Sequence, residues 1–328
     1  VNSGDKPNVS RVEAGLLGAE IVAHSSGYFK IEKIFPGENW HENFRSPLTE
    51  PGIKVKPGDF ILAVDGRSSK DVKNFYQLME NRGDRVVSLL VNDKPSLEGA
   101  HEEKVRPITQ EGNLRYLDWI QSRREYVEKL SGGRIGYIHL PNTAFEGNRE
   151  LFKNFFPQIH IDDRYNGGGF IPDRMIELLD RPKLNYWARR GITPAGAPNA
   201  SHNGPKAMLT NGYSSSGGDA LPYYFRKRGI GKVIGTRTWG GLIGITANPQ
   251  LVDNGSVSAP SFRIFSTDGQ WVVENEGVSP GIEVLDRADL INKGQDPSLE
   301  KAVEVLLEEL KKTHALRHKQ PAYIDESK

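Results

Sequence analysis

Apolar residues fall in two different rhythms along the chain. From residue 11 to residue 92 they come in short runs, "AEIVAH", "YFKIEKIF", "FILAVDG" and "VVSLLVN", each bounded by glycine, proline or polar turns. That pattern predicts a small β-rich module. Between the runs, "DVKNFYQLMEN" spaces its apolar positions as a helix does, with Asp71 as N-cap. Residues 94–132 are charged and connective, apart from one helix over "NLRYLDWIQSRREYVEKL" that ends in Gly132-Gly133. From residue 133 strands and helices alternate. "RIGYIHLP" is a strand, "NRELFKNFFPQI" a helix, "HIDDRYNGGG" a strand running into a glycine turn, and "FIPDRMIELLD" a helix. "KAMLTN" and "KVIGT" are strands around the helix "GGDALPYYFRKRG"; "SFRIFS" and "WVVEN" are further strands. The helix "QDPSLEKAVEVLLEELKK" closes the chain, with Asp296 as N-cap and Pro297 in the first turn. Such strand–turn–helix units predict an α/β layered domain with its active loops at strand ends.

Composition narrows the function without naming it. The 328 residues favour two domains, and 37% hydrophobic with 26% charged residues supplies a real core. A net charge of +1 with mixed signs gives no basic stripe for nucleic acid and no polybasic arm for a membrane. No apolar run approaches the roughly 20 residues of a membrane-spanning helix. Cysteine is absent, which removes disulfides and thiolate chemistry together. The opening "VNSGDKPNVSR" lacks the charged and apolar regions of a signal peptide, and its abrupt loop-like start reads as that of a fragment.

The chemistry gathers around "TNGYSSSGGDAL", where Ser214, Ser215 and Ser216 lie between an apolar strand and an apolar helix. Such a bend can expose a hydroxyl and aim the positive end of the new helix at the same point. Upstream, "DDRYNGGGF" ends another strand in three glycines, which let backbone N–H groups approach a reacting carbonyl. Residue type and spacing alone leave two readings open, a serine hydrolase and a pair of solvated polar loops. Asp162 and Asp163 are adjacent acids, but strand neighbours point to opposite faces, which argues against a shared metal or glycosidase site. "GIGKVIG" follows a helix and precedes a strand, the wrong order for a phosphate cradle. His314 and His318, four apart, lack a third ligand and read as a solvated face. No cofactor and no metal are called for.

Two stretches of the first module resemble a PDZ domain: "GIKVKPGDFILAVDG" and "AGLLGAEI". In the second, Gly15, Leu16, Leu17 and Gly18 are placed as a carboxylate-binding loop beside a strand edge that pairs with a peptide. Four ordered segments, "DDRYNGGG", "TNGYSSSGGDALPYYF", "GTRTWGGLIGI" and "WVVENEGVSPGIEV", resemble the tricorn core protease family, with tail-specific (C-terminal processing) peptidases as more distant relatives. The resemblance covers nearly the whole chain. It implies a stub of an upstream domain (1–10), a PDZ-like domain (11–93), a linker with a helix (94–132) and a serine-peptidase domain (133–328). The implied fold is an α/β catalytic domain of crotonase/Clp-like type preceded by the small β-rich PDZ-like domain.

The same resemblance assigns roles. Ser216 falls on the nucleophile, Glu274 on the carboxylate that orients a catalytic histidine, and Gly217 on one oxyanion donor. Gly168 or Gly169 supplies the other. Tail-specific peptidases instead activate serine with a lysine in a "GKG" turn; the matching "TWGGLIG" offers Gly240 and Gly241 and no lysine, and Lys232 reads as solvated. The family's histidine lies in a Ser-His pair just before the PDZ-like module, so it is expected upstream of Val1. Ser201-His202 is an internal decoy, since a strand of about six residues, roughly 20 Å, separates His202 from Ser216. His139 and His160 read as satisfied core or edge residues. The resemblance also implies short peptides as substrates, cleaved in endopeptidase or carboxypeptidase-like fashion, in a cytoplasmic homo-oligomer, a hexamer, with β-propeller and helical domains upstream. The alternatives are a non-catalytic peptide-binding scaffold, and an acyl-transfer enzyme or lyase that shares the fold.

Overall fold

The computed structural model describes residues 12–154, 159–198, 201–202, 204–246, 248–313 and 320–323. They form two compact units, divided along the chain between Ser122 and Arg123.

The first unit is an antiparallel sheet of β1 (Ala19–Ala23), β2 (Phe29–Ile34), β3 (Phe60–Val64), β4 (Arg67–Ser68), β5 (Val87–Asn92) and β6 (His101–Val105). The strand order is β1-β2-β3-β5-β6, with β4 on β3. β3 is buried on both faces because it lies in the middle: Ile61 and Val64 join the main core with Ile31, Leu89 and Val91, while Phe60 and Leu62 pack with Tyr28 behind it. A register shift between Ile61 and Ala63 returns Val64 to the Ile61 side.

Two expectations are corrected in this unit. Residues 101–105 were expected to be connective but form edge strand β6, whose "HEEKV" turns only Glu103 and Val105 inward. An edge strand needs so little apolar sequence that no alternation announces it. The helix expected over "DVKNFYQLMEN" is replaced by two short 3-10 turns, Ser69–Asp71 and Phe75–Leu78. Asp71 lies inside the first turn, whose cap is Ser68, and Asn74 caps the second by accepting the Tyr76 N–H. Phe75 and Leu78, three apart, are both buried by that single turn, so the apolar spacing is satisfied without a longer helix.

Helix α1 (Gly112–Ser131) leads into the second unit. There α2 (Phe145–Asn154), α3 (Pro172–Leu179) and α4 (Gly217–Lys227) alternate with β7 (Gly136–His139), β8 (Ile159–Asp162), β11 (Lys206–Thr210) and β12 (Lys232–Gly235). A hairpin of β9 (Asn185–Arg189) and β10 (Ile192–Ala197) interrupts the series before β11. After β12 come the small pair β13 (Ile243–Gly244) and β14 (Phe262–Arg263), then β15 (Ile282–Glu283), α5 (Ala288–Ile291) and α6 (Pro297–Thr313). The main sheet runs β15-β12-β11-β8-β7 and every pairing in it is parallel. Parallel strands are buried on both faces, which is why all five residues of β11 are inaccessible.

One face carries Ile138, Ile161, Met208 and Val233 against Leu151, Met175, Leu221 and Phe225 of α2, α3 and α4. The alternate positions Tyr137, His160 and Asp162 face the other way. Helix α6 packs on β11 and β12, and Asp296 caps it by accepting the Leu299 N–H (3.3 Å), as the sequence predicts. "WVVEN" is not a strand. Val273 and Asn275 are left-handed (φ 72° and 67°), and the segment folds into a turn in which the Glu276 N–H reaches the Val273 carbonyl. Among the described residues no helix is long and apolar enough to cross a membrane.

Candidate active site

Because its strands are parallel, the sheet delivers the loops after β7, β8, β11 and β12 to one edge, the usual place for a site in such folds. The loop after β11 bends at Asn211, whose side-chain oxygen accepts the N–H groups of Tyr213 (3.0 Å) and Tyr165 (3.2 Å). The three serines that follow differ. Ser214 is buried and its hydroxyl donates to the Asp163 carbonyl (2.8 Å). Ser215 gives its N–H to the Asn166 carbonyl (2.9 Å) and its hydroxyl to the same oxygen (3.4 Å). Ser216 is the N-cap residue of α4, yet its side chain makes no capping bond. Its backbone is left-handed, φ 55° and ψ −114°, a conformation that costs a serine about 1–3 kcal/mol and is found at nucleophile turns.

The glycine turn after β8 lies against this serine. A Cβ on Gly168 would come within 2.7 Å of the Ser216 Cβ and 3.1 Å of the Gly217 nitrogen, so only glycine permits the approach. A Cβ on Gly217 would meet the Thr143 hydroxyl and both the nitrogen and oxygen of Gly169. The amides of the turn are not equivalent. Gly167 donates to the Pro141 carbonyl (3.0 Å) and Gly168 to the Asn166 side chain (2.9 Å). The N–H groups of Gly169 and Gly217 have no acceptor among the described residues.

Glu274 is half-buried in the turn that replaces the expected strand, and its Oε2 is buried with no hydrogen-bond partner among the described residues. That turn is tied to α4 in two steps: Asn275 donates to the Gly240 carbonyl, and Gly240 donates to Asp219 Oδ1 (2.7 Å). Burial raises the Asp219 carboxyl above its usual range despite these bonds. Asp219, Asn166 and Thr143 were not singled out from the sequence. Asn166 and Asp219 stand inside the two glycine motifs, but nothing in residue type says which neighbour each one meets.

The adjacent acids diverge, as strand alternation predicts. Asp162 bonds to the Tyr137 hydroxyl and to Arg164, which also binds Asp296 and Asp286. Burial pushes Asp162 up, but the Arg164 charge and hydrogen bonds overcome it and hold the carboxyl at about 2. Asp163 faces Asn166 instead, and burial pushes it well above the carboxylate range.

Among the described residues this unit holds His139, His160 and His202. His139 is buried and hydrogen-bonded to the Arg164 carbonyl (3.0 Å). His160 is fully buried beside Tyr137, and burial lowers it to about 4. Neither ring nitrogen of His160 has a hydrogen-bond partner among the described residues, so the expectation of a satisfied core histidine holds for His139 and not for His160. His202 precedes β11, at the strand's opposite end from Ser216. His314 and His318 lie outside the described residues. Lys232 is exposed at the start of β12, as expected.

In the first unit, the Gly15 N–H bonds to the Met79 carbonyl and the Leu16 N–H to the Ile108 carbonyl. Leu17 is buried in the core, and Gly18 is left-handed (φ 69°). Only the amides of Leu17 and Gly18 are without an acceptor among the described residues of the proposed carboxylate loop, next to the open edge of β1.

Comparison with known proteins agrees with both units. Residues 15–110 match the Tricorn protease PDZ domain and residues 134–284 match Peptidase family S41. The Tricorn protease homolog 1 of Streptomyces coelicolor is 34% identical over 311 residues, covering 93% of this chain and 29% of that protein. The Tricorn protease of Thermoplasma acidophilum is 31% identical over 289 residues, 87% of this chain and 27% of that one. The solved structure titled "Crystal structure of the tricorn protease" superposes with a TM-score of 0.82 at 29% identity, over 91% of this chain and 29% of the other. The chain therefore spans less than a third of the length of these relatives. Carrying a Tricorn protease PDZ domain followed by a Peptidase family S41 domain, it belongs to the tricorn-like members of peptidase family S41.

Proposed function

We propose that this chain carries the nucleophile, the oxyanion hole and the orienting carboxylate of a serine peptidase that cleaves short peptides. The observation that carries the reading is Ser216: a hydroxyl on a strained backbone at the start of α4, packed on Gly168, with two N–H groups in the same pair of turns, Gly169 and Gly217, that have no acceptor among the described residues. Ser216 Oγ attacks the scissile carbonyl and its proton passes to an imidazole, which then protonates the leaving amine. Gly217 and Gly169 hold the negative oxygen of the tetrahedral intermediate. Glu274, whose Oε2 lacks a partner, orients the imidazole. That imidazole comes from a segment upstream of Val1, by resemblance to the tricorn-like relatives; this agrees with His139 and His160 being enclosed in the sheet and His202 lying beyond the far end of β11.

The domain is read as crotonase/Clp-like, supported by its parallel sheet and amide-lined glycine turn. The family likeness also supports endopeptidase or carboxypeptidase-like cleavage by a cytoplasmic homo-oligomer, a hexamer. In the first unit, the Leu17 and Gly18 amides beside β1 are the groups a peptide terminus would use. The test is turnover of short fluorogenic peptides by the full-length protein. Ser216→Ala is expected to abolish it with the thermal midpoint unchanged; hydrolysis that survives would refute the assignment.

A further inference from the structure

Resting on the Ser216 reading, we propose that Asn166 is a positioning residue that sets the oxyanion hole, engaging the N–H of Gly168 so that the N–H of Gly169 is the one left to face the reacting carbonyl. One buried side chain then governs both turns of the site. Asn166 is inaccessible to solvent, and each of its polar groups has a defined task. Its side-chain oxygen accepts the Gly168 N–H (2.9 Å) and its amide nitrogen donates to Asp163 Oδ1 (2.8 Å). Its backbone carbonyl accepts the Ser215 N–H (2.9 Å), and its own N–H reaches the Asp163 carbonyl (3.2 Å). That same Asp163 carbonyl accepts the Ser214 hydroxyl (2.8 Å).

The glycine turn and the serine turn are thus fastened to one Asp163–Asn166 unit, on residues directly before Ser216. The first turn of α4 also rests on it: a Cβ on Gly218 would come within 2.8 Å of the Asn166 carbonyl oxygen and 3.0 Å of its Cβ. The chemistry of the contacts fixes the orientation of the amide. The Gly168 N–H requires an acceptor, so a flipped amide would set two donors against each other and lose that bond. With Gly168 held this way, Gly169 (φ 142°) has its carbonyl and nitrogen beside Gly217 and its N–H without an acceptor among the described residues.

A purely structural asparagine and a positioning one make different kinetic predictions. Full-length parent, Asn166→Ala, Asn166→Asp and Ser216→Ala proteins would be compared on a short fluorogenic peptide between about pH 5 and 9, with kcat and KM resolved. Asn166→Ala frees the Gly168 N–H and loosens the hole, so kcat should fall about 10²-fold with KM within about threefold, the signature of an interaction expressed in the transition state. Asn166→Asp is nearly isosteric and keeps an acceptor for Gly168, but sets a second carboxyl against Asp163, with Asp162 and Asp219 also contributing negative charge there. Facing carboxyls share a proton, which Asp163 already holds because burial keeps it well above the carboxylate range, so Asn166→Asp should keep kcat within about tenfold of the parent's and well above that of Asn166→Ala. A kcat within about threefold of the parent's for Asn166→Ala, or a rise in KM alone, would overturn the proposal. So would a kcat for Asn166→Asp as low as that of Asn166→Ala, or, if the alanine variant does not fold, a kcat for Asn166→Asp about 10²-fold below the parent's. Turnover surviving in Ser216→Ala would instead sink the nucleophile assignment, whatever Asn166 does.

Discussion

Two glycine-bearing loops of this chain, Gly15–Gly18 and Gly167–Gly169, look alike in sequence and differ in their surroundings. Each commits two amides to the protein: Gly15 and Leu16 to Met79 and Ile108, Gly167 and Gly168 to Pro141 and Asn166. The count of paired amides is therefore not what separates them. Beside the second loop stands a serine in a strained conformation at a helix start, packed on Gly168. Beside the first, Leu17 is plugged into a core and the expected helix is reduced to two short 3-10 turns. A glycine loop reads as a reaction site when reactive groups are built around it, and as a docking edge or a turn when they are not.

Substitutions can break or sharpen that contrast. The largest effect after loss of the nucleophile belongs to Glu274→Ala, which should lower kcat about 10³-fold or more through loss of imidazole orientation, measured by steady-state peptide hydrolysis. Near-normal rates would remove Glu274 from the site. Gly169→Ala follows. Its Cβ would lie 2.6 Å from the Thr143 backbone carbon and oxygen, which cannot give way cheaply, so the amide should be displaced and kcat fall about 10²-fold.

His160 offers a contrast within the second unit, between groups built for reaction and groups built for packing. Its imidazole titrates at about 4 when folded, against 6.5 for the unperturbed ring. As pH falls from 6.5 toward 4 the unfolded chain therefore takes up a proton that the folded one refuses, and stability is lost over that window. His160→Leu should remove on the order of 3 kcal/mol of this acid sensitivity, read from urea unfolding at the two ends of the window. An unchanged pH dependence would show that the ring is solvated. The smallest effect is expected in the first loop. Gly15→Ala would press on Pro107 and the Arg82 backbone, costing about 1–2 kcal/mol of stability with kcat preserved. A loss of rate without a loss of stability would move that loop into the reaction.

The legible parts of this molecule are those fixed by local pattern. β11 and α4 stand where an apolar run, a glycine–serine bend and a second apolar run put them, and the Ser216 position follows from the motif they frame. β6 was illegible because an edge strand buries so few side chains. "WVVEN" misled because β-formers ordinarily extend, whereas here Val273 and Asn275 are held left-handed in a turn anchored on Gly240. The roles of Asn166 and Asp219, and the isolation of His160, were illegible for a different reason. Each depends on contacts between segments far apart in the chain, and residue type does not record its neighbours.

The central claim is that one serine of the three is reactive. Full-length protein treated with a fluorophosphonate and mapped by peptide mass spectrometry should carry the adduct on Ser216, with Ser214 and Ser215 unmodified and no adduct in Ser216→Ala. An adduct on Ser214, Ser215 or another serine, or peptide hydrolysis that persists with Ser216 unlabelled, would contradict it.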